Sequence, residues 1–187
     1  MGRKLFTMIA VILSVLAFSQ LAFSSVVGTW EVHGTVTARV TIKGHSASSS
    51  SYFYDEFTFE SDGDFSTIEF DGTWTQTKRN FWVFIDSDEL EDYFEDVLWY
   101  QGYDVGLTVT KNIFKGKESK TGNTINGKWN LKMDAYFYDY GLGGKISVVT
   151  TFTGSRGVFY SEGKKALPST KPVSRIVLDA LREWFSR

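Results

Sequence analysis

The chain has no cysteine among its 187 residues. That excludes thiol nucleophiles, sulfur-ligated metals and any disulfide framework, so packing alone must hold the fold. It also excludes a thioether-linked lipid on a mature N-terminus. Only two histidines occur, His33 and His45. Neither has a carboxylate pair at ligand spacing, so no metal site is expected, and no cofactor. No Gly-x-Ser-x-Gly elbow, phosphate-binding glycine loop or His-Glu-x-x-His sequence is present, so no catalytic constellation argues for an enzyme. Basic residues number 20 against 22 acidic ones, which leaves no broad basic face for nucleic acid.

Long hydrophobic runs are also scarce. The one near the N-terminus, Leu5 to Phe18, is broken by Thr7 and Ser14 and is shorter than the ~20 residues a bilayer span needs. It follows Arg3 and Lys4 and precedes Ala22-Phe23-Ser24. The three parts together read as a signal peptide over residues 1–24, cleaved before Ser25. An uncleaved N-terminal anchor is the alternative. Removal takes away two basic residues and moves the formal charge from −2 to −4. The expected destination is the bacterial periplasm or the extracellular space. The lack of cysteine and of any Asn-x-Ser/Thr acceptor fits that destination.

What is present in abundance is period-two alternation. Trp30, Val32, Val36, Ala38, Val40 and Ile42 alternate with Glu31, His33, Thr35, Thr37, Arg39 and Thr41. This predicts a long strand with one dry face, bent or bulged at Gly34. Ile125, Gly127, Trp129, Leu131, Met133, Ala135 and Phe137 alternate with polar residues in the same way. Between these two strands, residues 45–51 read as a Ser-rich loop. Strands are expected at 52–60, 65–70, around Trp74 and at 81–85, joined by short Asp-Gly and Lys-Arg-Asn turns. Later strands are expected at 105–117, 124–138 and 145–153. Short turns make consecutive strands antiparallel neighbours, so the eight form a meander.

Two segments change period. Leu90, Tyr93, Phe94, Val97 and Leu98 recur at three and four, predicting a helix over 88–100 with Asp86 or Ser87 as its cap and Gly102 beyond its end. Val173, Ile176, Val177, Ala180, Leu181, Trp184 and Phe185 form an apolar stripe after Pro172. The chain therefore divides into a β domain over 25–157, a linker over 158–171 and an amphipathic helix over 172–187.

Three times glycine, one residue and tryptophan follow a turn: Gly28-Thr29-Trp30, Gly72-Thr73-Trp74 and Gly127-Lys128-Trp129. Glycine frees the backbone at a strand entrance, and tryptophan fills a wide end of a core. With these motifs, and with Arg156 in Thr153-Gly154-Ser155-Arg156, residues 27–156 resemble the lipocalin-like, or calycin, group. The resemblance implies an all-β, eight-stranded up-and-down antiparallel barrel. It implies too that Arg156 packs over Trp30 after the last strand. Trp30, Trp74, Trp129 and Arg156 are then structural plugs. The mid-chain helix and the continuation Glu31-Val32-His33 depart from the group's pattern.

A closed barrel of this size is either filled or just wide enough for one small hydrophobic molecule. Val36, Val40, Phe57, Phe59, Met133, Phe137 and Phe152 are the expected lining of such a cavity, with a fully packed core as the alternative. The acidic stretch from Asp86 to Asp92 lacks the central glycine of a calcium loop and reads as the wet face of a helix. Tyr136 and Tyr138 fall on the polar face of their strand, where a sugar ring or a partner protein would stack. Membrane contact is expected only through the terminal helix, beside Lys171, Arg175, Arg182 and Arg187, and docking on the chain's own barrel is the favoured role. Alternation alone leaves one inversion open, an outer-membrane barrel with its apolar side outward.

Overall fold

Each strand carries one apolar face, and that face can be buried on all strands at once only if the sheet curls and closes. In the computed structural model, which describes residues 25–156 and 171–186, it does so. The strands are β1 (Gly28–Ile42), β2 (His45–Phe59), β3 (Asp64–Ser66), β4 (Asp71–Thr77), β5 (Asn80–Phe84), β6 (Val105–Glu118), β7 (Thr124–Phe137) and β8 (Leu142–Arg156). They form a closed antiparallel barrel in chain order, sealed by β1 against β8. Helix α1 (Ser87–Trp99) lies between β5 and β6, and α2 (Val173–Phe185) follows the barrel. The segment read as a signal peptide, and the linker up to residue 170, lie outside the described residues.

The strands are unequal, and this shapes everything above the barrel's waist. β1 and β2 pair over their full 15 residues, and β6 to β8 are nearly as long. β3 has three residues and β5 five. β2 meets β3 only at Thr58 and Phe59, so its upper part has no strand on that side.

Several boundaries correct the sequence reading. Residues 45–51 are strand, because Lys43 and Gly44 both take positive φ (51° and 79°) and make a two-residue hairpin turn. The serines then pair outward with threonines of β1, as Ser50 with Thr37 and Ser46 with Thr41, each at 2.8 Å. The expected strand at 65–70 stops at Ser66. There Thr67 Oγ1 accepts the N–H groups of Glu69 and Phe70 and folds the chain into a turn instead. Gly34 makes no bulge, since both ladders run through it. It faces inward, where a Cβ would lie 2.0 Å from the Thr151 carbonyl oxygen and 2.9 Å from the Phe53 ring. The register shift lies in β6, between Val109 and Lys111.

The narrow end is sealed by a polar clamp over an aromatic floor. Trp30 is fully buried and donates from Nε1 to the Val26 carbonyl at 2.7 Å. The Arg156 guanidinium stands 4.5 Å from the centre of its ring. Arg156 also donates to the carbonyls of Val27, Gly122 and Ser25 and pairs with Glu118 at 3.4 Å. Glu118 is wholly buried and takes a second bond from Gln76 Nε2. Above this floor Phe57, Phe59, Phe65, Phe81, Phe114 and Phe152 meet mostly edge to face, with centroids 5.0–5.7 Å apart.

The wide end is covered by the helices. α1 buries Leu90, Phe94 and Leu98 and is capped by Asp86, whose side chain accepts the Asp88 N–H. Its acidic face is not simply solvated, as the sequence suggests. Glu91 and Glu95 accept the backbone N–H groups of Val109 and Leu107 on the stretch of β6 that β5 is too short to reach. α2 buries Ile176, Val177, Ala180 and Leu181 completely. Its N-terminus has no side-chain cap of its own, and Glu69 Oε2 accepts the Val173 N–H at 2.9 Å in its place. At its other end Phe185 packs on Tyr103, Phe137 and Tyr140, and Trp184 Nε1 donates to the His45 carbonyl.

Removing Arg156 strands the buried Glu118 charge, a change that costs several kcal/mol when both partners are buried. The Arg156 side chain is 40 % exposed, so the loss is set lower. Arg156→Leu is expected to destabilise the fold by about 2–3 kcal/mol in denaturant titrations. The double variant Arg156→Leu with Glu118→Leu should recover part of that loss.

Candidate functional site

The turn at Thr67–Phe70, which ends β3 early, leaves a side window in the barrel wall between β2 and the start of α2. Behind it lies a cavity of about 240 Å³, the space of roughly eight water molecules. Phe53 and Phe57 from β2, Phe114 from β6, Trp129 from β7 and Thr150 and Phe152 from β8 reach it from the barrel interior. Phe70 and Ile85 line it from the short-stranded side. The mouth carries Tyr54, Asp55, Thr67, Ile68, Glu69, Lys171, Pro172 and Val173.

Two polar groups in this apolar setting stand out. Asp55 occupies an inward position on β2, between Phe53 and Phe57, opposite Val32. Its Oδ1 accepts the N–H of Glu56 at 2.7 Å and of Ile68 at 3.1 Å, which tethers the turn across the window. Burial pushes its carboxyl up to about 6 from an ordinary 3.8. The two backbone bonds oppose that rise, and the charges of Glu69 and Glu56 add to it. Thr150 is 4 % exposed, and its Oγ1 is the one buried side-chain polar atom with no hydrogen-bond partner among the described residues.

The other charges at the mouth are engaged. Glu69 Oε1 accepts from Tyr93 Oη at 2.7 Å and from Ser174 Oγ at 3.3 Å, besides capping α2 through Oε2. Burial raises the Tyr93 phenol well above its ordinary range, which keeps it the donor. Lys171 Nζ pairs with Asp179 at 2.7 Å.

Of the residues read from the sequence as cavity lining, Phe57 and Phe152 face this space. Val36, Val40, Phe59, Met133 and Phe137 are at most 1 % exposed apart from it, enclosed in side-chain packing. Among the tryptophans, Trp30 is the buried floor and Trp74 is half-buried beside Phe59. Trp129 is a wall of the cavity, held by Nε1 donating to Asn112 Oδ1 at 2.8 Å. Tyr136 and Tyr138 are exposed and meet edge-on at 5.3 Å. Neither histidine lines the cavity, and no cluster of three potential metal ligands occurs among the described residues. No described helix is long and apolar enough to cross a membrane.

Asp55, Thr150 and Glu69 were not picked out by sequence reasoning. For Asp55 a signal was there: in Phe53-Tyr54-Asp55-Glu56-Phe57 an acid takes the inward place of an apolar residue. The chain matches no protein-family model, and no curated protein is similar to it.

Because the folded pKa of Asp55 lies above its unfolded one, its contribution to stability is full below pH 3.8 and is lost as pH rises through about 6. At neutral pH the ionised carboxylate is therefore a burden. Asp55→Asn keeps the Oδ1 acceptor and is expected to stabilise the protein by about 1–2 kcal/mol at pH 8, after allowance for partial exposure. The difference from wild type should vanish below pH 4. Thr150→Val removes an unpaired buried hydroxyl at constant shape. It should raise stability by about 1 kcal/mol at every pH, read from thermal melts.

Proposed function

We propose that the protein is an exported, lipocalin-like binding protein that takes one small, largely apolar molecule through the side window into its barrel. The observation that carries this reading is the cavity itself. Its walls come from four strands, β2 and β6 to β8, and contain an unpaired buried hydroxyl, where a structural core would be filled and satisfied. The closed eight-stranded meander, with Arg156 stacked over Trp30, supports the likeness to lipocalins. The wide end, covered by α1 and α2, leaves the window as the way in.

Export rests on the N-terminal pattern of Arg3-Lys4, an apolar run and small residues before Ser25. A membrane-spanning barrel would turn an apolar band outward. Here the outward positions of β7 are Thr124, Asn126, Lys128, Asn130, Lys132, Asp134 and Tyr136, all polar apart from the one tyrosine ring, and the aliphatic ones point inward. That pattern favours a barrel surrounded by water.

Expressed in a bacterial host and purified without detergent, the exported chain should begin at Ser25 by N-terminal sequencing. It should bind the neutral dye N-phenyl-1-naphthylamine saturably, at one site per chain. Ile85→Phe places extra bulk in the cavity wall and should weaken the dye roughly tenfold with folding retained. Non-saturable dye binding, with a ligand-free native mass, would assign the barrel a structural role instead.

A further inference from the structure

An apolar cavity has little means of choosing among small hydrophobic molecules, so selectivity must come from the few polar groups that reach it. Here the groups at the mouth are not equivalent. Glu69 is occupied by Tyr93, Ser174 and the first N–H of α2. The Lys171 ammonium is held by Asp179. Asp55 is the exception: both of its hydrogen bonds go to Oδ1, fixing the carboxylate plane, while Oδ2 has no hydrogen-bond partner among the described residues. The cavity that Asp55 borders is lined by Phe53, Phe57, Phe114, Phe152 and Trp129, and aromatic ring faces attract positive charge. Independently of the acids, the buried Thr150 Oγ1 has no partner and lines the same cavity.

We propose that the cavity selects a small organic ammonium, an alkyl or aryl-alkyl amine, with its apolar part among the phenylalanine rings and its cationic head on Asp55 Oδ2. This rests on the cavity being a binding site, and it names what that site prefers. Thr150 supplies a second polar anchor inside the cavity. A carboxylate ligand of the same size is disfavoured. It would meet Asp55 and Glu69 at the mouth, and the one cation there is already paired.

The electrostatics agree with this placement. The titratable groups around Asp55 are Tyr54 and Glu56 on its own strand, Glu69 on the turn and Lys171 ahead of α2. β1 presents only Val32 opposite it. Burial and the two glutamates raise the Asp55 pKa to about 6, and a bound ammonium relieves both effects. An alkylammonium, like a lysine side chain, stays charged up to about pH 10. Its affinity should therefore rise with pH through about 6, as Asp55 ionises, and level off above.

The test is calorimetric titration of the purified exported chain with three near-isosteres: 2-phenylethylamine, 2-phenylethanol and phenylacetate. Binding of N-phenyl-1-naphthylamine serves as the control for the cavity. At pH 8 the amine should bind roughly tenfold tighter than the alcohol, with phenylacetate weakest, and at pH 4.5 the amine's advantage should disappear. Asp55→Asn should bring the amine down to the alcohol's affinity at both pH values. Thr150→Val should weaken amine and alcohol together and leave their ratio unchanged. Equal affinities for amine and alcohol in the wild-type chain, or an amine preference that survives Asp55→Asn, would overturn the proposal while dye binding kept the cavity reading intact. Loss of dye binding as well would overturn both.

Discussion

A barrel whose strands differ in length leaves backbone N–H and C=O groups along its longer strands with no neighbour to pair with, and this constraint organises the protein. Buried unpaired backbone groups are costly, and an exposed strand edge invites association with other chains. β3 to β5 are too short to serve the upper halves of β2 and β6. On the β6 side the deficit is met by α1, whose Glu91 and Glu95 stand in for the missing strand by accepting two ladder amides. On the β2 side α2 lies against the strand, while Asp55 reaches across to the Ile68 amide. The helices are thus parts of the barrel wall in which side-chain carboxylates do the work of main-chain carbonyls.

The same constraint explains why the cavity lies at the side and not at the end. The narrow end is closed by Trp30 and the Arg156–Glu118 pair, which tie the last strand to the segment before the first. The wide end is closed by the stripe of α2, from Ile176 to Leu181, and by the ring cluster around Phe185. What remains is the place where a turn, Thr67–Phe70, replaces a strand. Turns present side chains and local hydrogen bonds in place of a continuous ladder, so the wall there has a window whose rim is polar and whose interior is aromatic.

How much of this was legible in the sequence follows from what kind of information each feature needs. Strands with strict alternation, such as β1 and β7, and helices with a clean three-four stripe are local patterns and can be read directly. The antiparallel meander follows from short turns, and its closure into a barrel is what the resemblance carried by Gly28-Thr29-Trp30 and Arg156 implies. The Ser-rich start of β2 reads as a loop because serine is a weak strand former. What makes it a strand is its partner: the tight turn at Lys43-Gly44 forces it alongside β1, and the Thr–Ser pairs complete the outer face. Phe65–Phe70 reads as a longer strand than the one that forms, because Thr67 can serve two amides locally and so competes with the ladder. The cavity walls Phe57 and Phe152 could be inferred from alternation. Which alternating positions face open space and which face packed neighbours depends on helix docking, through contacts such as Glu69 to Val173 across a wide sequence separation.

Asp55 and Thr150 break the rule that the rest of the interior obeys. Elsewhere the buried polar groups are paired: Glu118 with Arg156 and Gln76, Ser174 with Glu69 and Tyr93. A sequence that satisfies its buried groups so consistently could have placed valine at 150 and asparagine, which keeps the Oδ1 acceptor, at 55, with a gain in stability at neutral pH. Local unfavourable choices of this kind persist when something outside the folding balance rewards them. Both sit on the wall of one aromatic space that opens to the surface, and Asp55 Oδ2 and Thr150 Oγ1 have no hydrogen-bond partner among the described residues. A ligand that completes them turns two destabilising features into binding energy, which neither feature offers to the empty barrel.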